Sequence, residues 1–315
     1  MNLFSTLIAA ILLVNNSLVE CQSDSYRVVA VGDLHGDYDN MIKILQMTKV
    51  INEEHEWIGG SHTTLVQTGD VTDRGPDAKK IYTYFMKLRQ DASSKGGLFV
   101  PLLGNHETKN MIENYKDVSK QDISAFGSEK ERKQEFSESG IIGKYLRNLD
   151  ITAKVHDTVF CHGGVNLDWS KKKVDGLNKE FHELVSSESK GELKESEIFS
   201  KEGDGPLWYR GYAKDDEDEV CSKLTKALDN LGAKRMVMGH TIQKNNKITT
   251  RCNNRAILID IAISSFYDGG HLGAFEFTDS YMRAVYPNGK FEYFGKAKEV
   301  SNDSEGLEDL EDSSD

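Results

Sequence analysis

The chain of 315 residues has no excess of positive charge. Its 39 Lys and Arg stand against 51 Asp and Glu, a formal net charge of −12. A surface of that sign repels phosphate backbones and anionic headgroups, which argues against nucleic acid or an anionic membrane as main partner. Beyond the first residues there is no apolar run long enough to span a bilayer. There is no internal repeat and no linker that would split the chain into two domains. Cysteine is scarce, with Cys21, Cys161, Cys221 and Cys252 the whole supply. What is present supports a packed core. Hydrophobic residues make up 38% and charged residues 29%, a balance that excludes global disorder and suits one large or two modest domains.

The two ends differ from the middle. Leu3 to Val14, "LFSTLIAAILLV", is an apolar run of about 12 residues, short for a membrane span and of the right size for a signal-peptide core. Cleavage between Cys21 and Gln22 is expected, although no Lys or Arg precedes the run. The expectation is a signal peptide over 1–21, then a protein of the secretory pathway, secreted or lumenal, with no stable membrane insertion after cleavage. Three cysteines then remain. Cys161 lies in the apolar run "TVFCHGG" and reads as a buried strand residue, which pairs Cys221 with Cys252 as the candidate disulfide. At the other end, residues 299–315 hold Glu299, Asp303, Glu305, Glu308, Asp309, Glu311, Asp312 and Asp315 with no basic residue. Such a run repels itself and buries nothing, so an acidic disordered tail is expected there. The sequon Asn302-Asp303-Ser304 lies within it. One folded domain is expected over 22–298.

Between the ends, strands and helices alternate. "YRVVAV" reads as a buried strand and "DYDNMIKILQMTKVI" as an amphipathic helix. "HTTLVQ" is a second strand, followed by a helix opened by Pro76 at its first turn. "GGLFVPLL" is a third strand. A polar insertion, Asn114 to Ser139, carries no strong strand signal. "DTVFC" is a fourth strand. Helical segments are expected near Asp175–Ser189 and Lys194–Phe199, then a Gly- and aromatic-rich loop, "DGPLWYRGY". A helix that Cys221 opens and Gly232 caps follows. "RMVM" is a fifth strand. Later stretches, "KITTR", "AILIDI", "GAFEFT", "MRAVYP" and "KFEYFG", are strand-like, with Asn288-Gly289 as a hairpin signal. Alternation early and consecutive strands late imply an α/β core with a mixed second sheet.

The chemistry sits at the strand ends. Five times an apolar strand stops at glycine and a metal-capable residue: Gly32-Asp33-Leu34-His35, Gly69-Asp70-Val71-Thr72-Asp73-Arg74-Gly75, Gly104-Asn105-His106-Glu107, His162-Gly163-Gly164 and Gly239-His240-Thr241. In an open α/β sheet a site lies beyond the carboxyl ends of the strands, so the five clusters converge on one cleft. Two carboxylates, several imidazoles and an amide exceed the needs of one closed metal. They suit two metals that share a bridging carboxylate. Arg74 and Arg210 add forked donors that match phosphate.

In combination and order, "GDLHG", "GDVTDRG", "GNHE", "HGG" and "GHT" resemble the phosphoprotein phosphatase family of calcineurin-like metallophosphoesterases. "PLWYRG" and the short "GHT" are most similar to its Shewanella-like, bacterial-type branch. "IAISSFYDGG" stands where the classical members carry a Ser-Ala-Pro-Asn-Tyr stretch. The resemblance implies a calcineurin-like sandwich of two mixed sheets flanked by helices, in α/β/β/α layers. It implies two divalent or trivalent metal ions (Mn, Fe or Zn). Asp33 and His35 would be ligands of the first, Asp70 would bridge, and Asn105, His162 and His240 would be ligands of the second. It assigns His106 as general acid held by Asp73, and Arg74, Arg210 and Asn105 to the phosphate. The implied reaction is hydrolysis of phosphate monoesters by a hydroxide that the two metals activate, with a phosphoprotein or phosphopeptide as substrate.

Other residues read more plainly. Glu107 is a carboxylate at a helix start. His55, His62, His156 and His182 are expected at the surface or in turns. Tyr267, in "SSFYDGGHLG", is a candidate cleft-lining residue, and Trp208 and Tyr209 are divided between the core and a wall of the phosphate pocket. Two alternatives stay open: a phosphoesterase of small molecules such as dinucleoside polyphosphates, and a non-catalytic binding protein on the same scaffold.

Overall fold

In the computed structural model, residues 26–187, 190–201 and 204–295 are described. The expected signal peptide and its cleavage point, the acidic tail and its sequon lie outside the described residues. No helix among the described residues is long and apolar enough to cross a membrane.

The first half is wound from parallel strand–helix units. Strand β1 (Arg27–Val31) leads to helix α1 (Tyr38–Met47), β2 (Thr63–Gln67) to α2 (Ala78–Ser94), and β3 (Leu98–Pro101) to the short α3 (Asn105–Met111). β1 to β3 pair in parallel and in sequence order. Val28, Val29, Ala30 and Val31 of β1 are all buried, the continuous apolar reading of a strand covered on both faces. Asp37 caps α1 by accepting the Asn40 amide. Pro76 lies outside α2, which starts at Ala78 after an N-cap at Asp77. The polar insertion holds two helices, α4 (Lys120–Ala125) and α5 (Glu129–Phe136), capped by Ser119 and Ser128, and α6 (Ile141–Arg147) follows.

The second sheet begins with an antiparallel pair, β4 (Thr152–Val155) and β5 (Thr158–Cys161). β4 was not expected from the sequence. Its four residues "TAKV" give too short an alternation to stand out. α7 (Leu167–Ser170), α8 (Lys173–Ser187) and α9 (Lys190–Glu195) follow. The last corrects the expected helix at Lys194–Phe199, which falls mostly in the turns after α9. Then come α10 (Gly211–Lys214), α11 (Glu217–Leu231), β6 (Arg235–Met238), β7 (Thr249–Arg251) and β8 (Ala256–Leu258). Helix α11 opens at Asp216, whose side chain accepts the amides of Asp218 and Glu219, so Cys221 sits in its second turn and not at its start. Gly232, at φ 59°, closes it. β9 (Ala274–Thr278), β10 (Met282–Tyr286) and β11 (Lys290–Tyr293) return to the first sheet. The β10–β11 turn runs through left-handed Asn288 and Gly289, the hairpin chemistry their sequence announces.

The strand orders are β11-β10-β9-β1-β2-β3 and β4-β5-β6-β8-β7, so both sheets are mixed. β5, β6 and β8 are parallel at the centre of the second sheet, with antiparallel strands at its edges. One apolar core runs through both sheets. Phe160 of β5 stacks on Phe277 of β9 across the interface, with centroids 6.4 Å apart. Helix α2 packs on β3, and α8 packs on β4 with α7 and α11 beside it. The parallel strands of both sheets thus deliver their carboxyl ends to one rim of the sandwich.

Cys221 of α11 and Cys252, in the β7–β8 turn, form a disulfide with Cα atoms 5.2 Å apart, while Cys161 is a buried free thiol. The bond closes a loop of 31 residues of separation. Reduction, or replacement of both cysteines by serine, is expected to lower unfolding free energy by about 2–4 kcal/mol. Urea unfolding with and without reductant measures it. Coincident curves would show that the bond adds no stability.

Candidate active site

The rim holds a cleft of about 340 Å³ lined by Asp33, His35, Asp70, Arg74, Asn105, His106, Arg210, His240 and Tyr267. All five sequence clusters meet here. His162 lies just beneath, fully buried, with Nε2 3.2 Å from Asp70 Oδ2. Asp73 is fully buried behind His106.

The backbone at these positions is unusual. His35, Asp70, Asp73, Arg74 and His240 all have positive φ, between 40° and 71°. Left-handed backbone at non-glycine residues costs on the order of 1–3 kcal/mol each and persists only where surrounding bonds over-determine it. Those bonds are present. The amides of Leu34 and His35 donate to Asp70 O, and Gly36 N donates to Val71 O, which zips the first loop onto the second. The His240 amide donates to both oxygens of Asp33 at 3.1 Å. Two glycines make the close approaches possible. A Cβ on Gly104 would lie 2.2 Å from Asp70 Oδ1, and one on Gly239 would lie 2.2 Å from Asp33 Oδ1.

Glu107 does more than begin a helix. Its carboxylate is buried and accepts the amides of Asp70 (2.8 Å), Val71 (2.9 Å), Thr72 (3.1 Å) and Gly104 (2.8 Å), together with the Tyr82 hydroxyl (2.9 Å). It is the clasp between the ends of β2 and β3. The position of Asp70 follows from it. Asp70 Oδ1 accepts the His106 amide at 2.9 Å, which leaves Oδ2 at the centre of three imidazoles: His162 Nε2 at 3.2 Å, His35 Nε2 at 3.6 Å and His106 Nε2 at 3.9 Å.

The donor set fits metal ions. His162 Nδ1–H donates to Thr68 O, so in the neutral ring Nε2 is a lone pair. That lone pair faces two more acceptors, Asn105 Oδ1 at 3.0 Å and Asp70 Oδ2. A cation held by these donors would resolve the conflict. His35 is fixed the same way, with Nδ1 on Thr72 O, and His240 Nε2 is buried with no hydrogen-bond partner. Two candidate sets, His35–Asp70–His106 and Asp70–His162–His240, share Asp70, with ligating atoms within 4.8 Å of one another in each.

The electrostatics point the same way. Burial pushes the His35 imidazolium down to about 4 and holds that of His240 well below its ordinary value, a direction that favours the unprotonated ring that can coordinate. Burial, helped by the Asp260 and Asp70 carboxylates, drives Asp33 well up. Burial would raise Asp70 too, but the imidazoles of His162, His106 and His35 hold it well below the carboxylate range. For His106, burial alone would lower the imidazolium, yet Asp70 and the hydrogen-bonded Asp73 raise it. His106 Nδ1–H donates to Asp73 Oδ2 at 2.7 Å, so its Nε2 is left for the cleft.

The two arginines stand at the mouth. Arg210 Nη1 donates to His240 O (2.5 Å) and Thr241 Oγ1 (3.2 Å). Arg74 pairs with Asp117 at 3.0 Å, and the same carboxylate holds Lys109 at 2.8 Å. The Tyr267 ring meets that of His35 edge-on at 5.7 Å between centroids. Trp208 lines the cleft edge-on to His240, whereas Tyr209 packs on Tyr212 away from it.

One site carboxylate escaped the sequence reading. Asp260 lines the cleft, is buried, and is pushed up to about 6 by that burial. The expected strand "AILIDI" in fact ends at Leu258, so Asp260 sits at the carboxyl end of β8, in the same relation to its strand as the five clusters. Lys109, Lys214 and Ile242 of the rim were missed as well.

Comparison with known proteins agrees with this geometry. Residues 26–244 match the calcineurin-like phosphoesterase family. The chain is 36% identical to an uncharacterised protein of Schizosaccharomyces pombe over 82% of this chain and 80% of the relative. It is 33% identical to Shewanella-like protein phosphatase 1 of Plasmodium berghei over 78% of this chain and 69% of the relative. Among solved structures it is similar to a cold-active protein tyrosine phosphatase of a psychrophilic Shewanella, with TM-score 0.75 and 26% identity, covering 87% of this chain and 82% of that one.

Glu107→Gln replaces an acceptor oxygen with an amide that faces backbone donors. Stability is expected to fall by about 3 kcal/mol, read from chemical denaturation of the metal-free protein. An unchanged midpoint would remove the clasp from this account.

Proposed function

Because this chain belongs to the calcineurin-like phosphoesterase family, on its Shewanella-like protein phosphatase branch, we propose that it is a metal-dependent phosphoprotein phosphatase of the secretory pathway. It is a hydrolase of phosphate esters; the proposal adds the protein substrate, the residue roles and the location. The observation that carries the mechanism is Asp70 Oδ2 at the focus of three imidazoles, beside a group pair, His106–Asp73, that is built to deliver a proton.

Asp33, His35, Asp70, Asn105, His162 and His240 would hold two ions of the Mn, Fe or Zn kind. When bound, such ions lower the pKa of water and offset charge on phosphoryl oxygens. The remaining work belongs to the chain. Arg74 and Arg210 stand on the rim as forked donors for the phosphoryl oxygens, and Asn105 reaches the same space. His106, held on Nδ1 by Asp73, directs Nε2 to the cleft and would give its proton to the leaving oxygen. The open mouth, with Trp208 and Ile242 as apolar contacts and Lys109 and Lys214 as basic ones, suits a peptide segment on either side of a phosphoresidue. Similarity to Shewanella-like protein phosphatases supports a protein substrate. The Cys221–Cys252 bond supports an oxidising compartment.

Phosphate release from phosphoserine, phosphothreonine and phosphotyrosine peptides and from diadenosine tetraphosphate, with Mn²⁺ and then with chelator, tests the reading. Chelator-sensitive release from peptides is expected; release from the nucleotide alone would move the chain to small-molecule substrates. His106→Asn is expected to lower peptide turnover by about 10²–10⁴ with metal content unchanged. Loss of metal in that variant would assign His106 to a different role.

A further inference from the structure

The polar insertion contributes a buried arginine that the mechanism above does not use. Arg132 of α5 is only 2% exposed, yet it lies behind the acid rather than at the surface. Its Nε donates to Asp122 Oδ2 at 2.7 Å, its Nη1 to Asn110 Oδ1 at 2.7 Å, and its Nη2 to Thr72 Oγ1 at 3.2 Å. The guanidinium stacks over Phe136, 4.3 Å from the ring centroid. Nη2 also comes within 3.6 Å of Asp73 Oδ1.

A primary amide can present either its oxygen or its NH₂, and its neighbours decide. With a guanidinium on one side of Asn110, only the oxygen can face it. The NH₂ is therefore turned to Asp73 Oδ1, at 2.9 Å, and to His106 O, also at 2.9 Å. Asp73 Oδ1 is then filled by an amide donor, and Oδ2 is left for His106 Nδ1–H at 2.7 Å. The ring orientation that sends Nε2 to the cleft is thus the last link of a chain that starts in the insertion. Thr72, gripped by the same guanidinium, precedes Asp73 in the strained loop.

We propose that Arg132 is a positioning residue for the general acid, acting through Asn110 and Asp73 on His106. The inference rests on the acid role proposed for His106. Arg132 touches neither substrate nor the metal-ligand set. Its effect is to hold an imidazole within the narrow range in which proton transfer to a leaving oxygen keeps pace with phosphorus–oxygen cleavage. Misplacement of a reacting group by about 1 Å costs up to about 10²-fold in rate.

Leaving-group dependence separates this role from plain structural support. An alkoxide leaves poorly without a proton, whereas p-nitrophenolate leaves without help. Arg132→Gln is expected to lower turnover of a phosphoserine peptide by up to about 10²-fold and that of p-nitrophenyl phosphate far less, with metal content unchanged. In a His106→Asn background the same substitution should cost nothing further, because residues that act in series are not additive. Asn110→Asp keeps a partner for Arg132 but turns an oxygen to Asp73. It should show the same selective loss, and it decides the matter if Arg132→Gln does not fold. Equal losses on both substrates, or a full additional loss in the His106→Asn background, would overturn the inference. A wild-type protein inactive on both substrates would overturn the phosphatase reading itself.

Discussion

The carboxylate of Glu107 gathers four backbone amides and a tyrosine hydroxyl into one buried cluster, and the rest of the site is arranged around it. The loop it holds contains Asp70, Asp73 and Arg74 in left-handed backbone, which would relax without charge-assisted bonds to oppose the strain. Because Glu107 belongs to the helix that follows β3, the clasp also fixes where that helix starts. Asn105 and His106 occupy its first turn, so their side chains inherit the same reference point as Asp70. One acceptor group thereby sets the relative positions of a shared carboxylate, a candidate ligand and the acid.

The two sheets contribute different halves of the chemistry. The first supplies Asp33, His35, Asp70 and the His106–Asp73 pair. The second supplies His162, His240 and Asp260. Neither half is electrostatically comfortable alone. Asp33, Asp70 and Asp260 are each at most 3% exposed and lie within reach of one another's field. Burial of like charges in a low-dielectric space is tolerated where cations balance them. The Arg210 guanidinium offers one such charge, and the metal ions of the family would supply the remainder.

Much of this is legible in the sequence because the signal is local. An apolar strand that stops at glycine and a polar residue announces both the strand and what stands at its end, so Asp33, Asp70, Asn105, His162 and His240 are placed by pattern alone. Asp260 is not legible, since "AILIDI" continues apolar on both sides of it and no glycine marks the break. Glu107 reads only as a helix-start carboxylate, because of its partners only Gly104 is near in the chain, and the amides of Asp70, Val71 and Thr72 lie 35 to 37 residues away. Arg132 is least legible of all. In a run as polar as "SEKERKQEF" an arginine reads as solvated, and its burial depends on Asp122, Asn110 and Phe136 closing round it in three dimensions. The late strands are legible as strands but not by sheet, since β9 joins β1 and extends the first sheet through β10 to β11, while β8 joins β6 and carries β7 at the edge of the second.

The tethering of the imidazoles by their Nδ1 atoms has a consequence for supply. His35 is tied to Thr72 O and His162 to Thr68 O, both main-chain acceptors, so the rings are held in place by the fold alone. Donors fixed in this way are set before any ion arrives, and a mixed hard and borderline set is open to more than one divalent ion. Which ion of the Mn, Fe or Zn kind would fill such a cradle then depends on the supply where the chain is loaded as well as on the donors themselves.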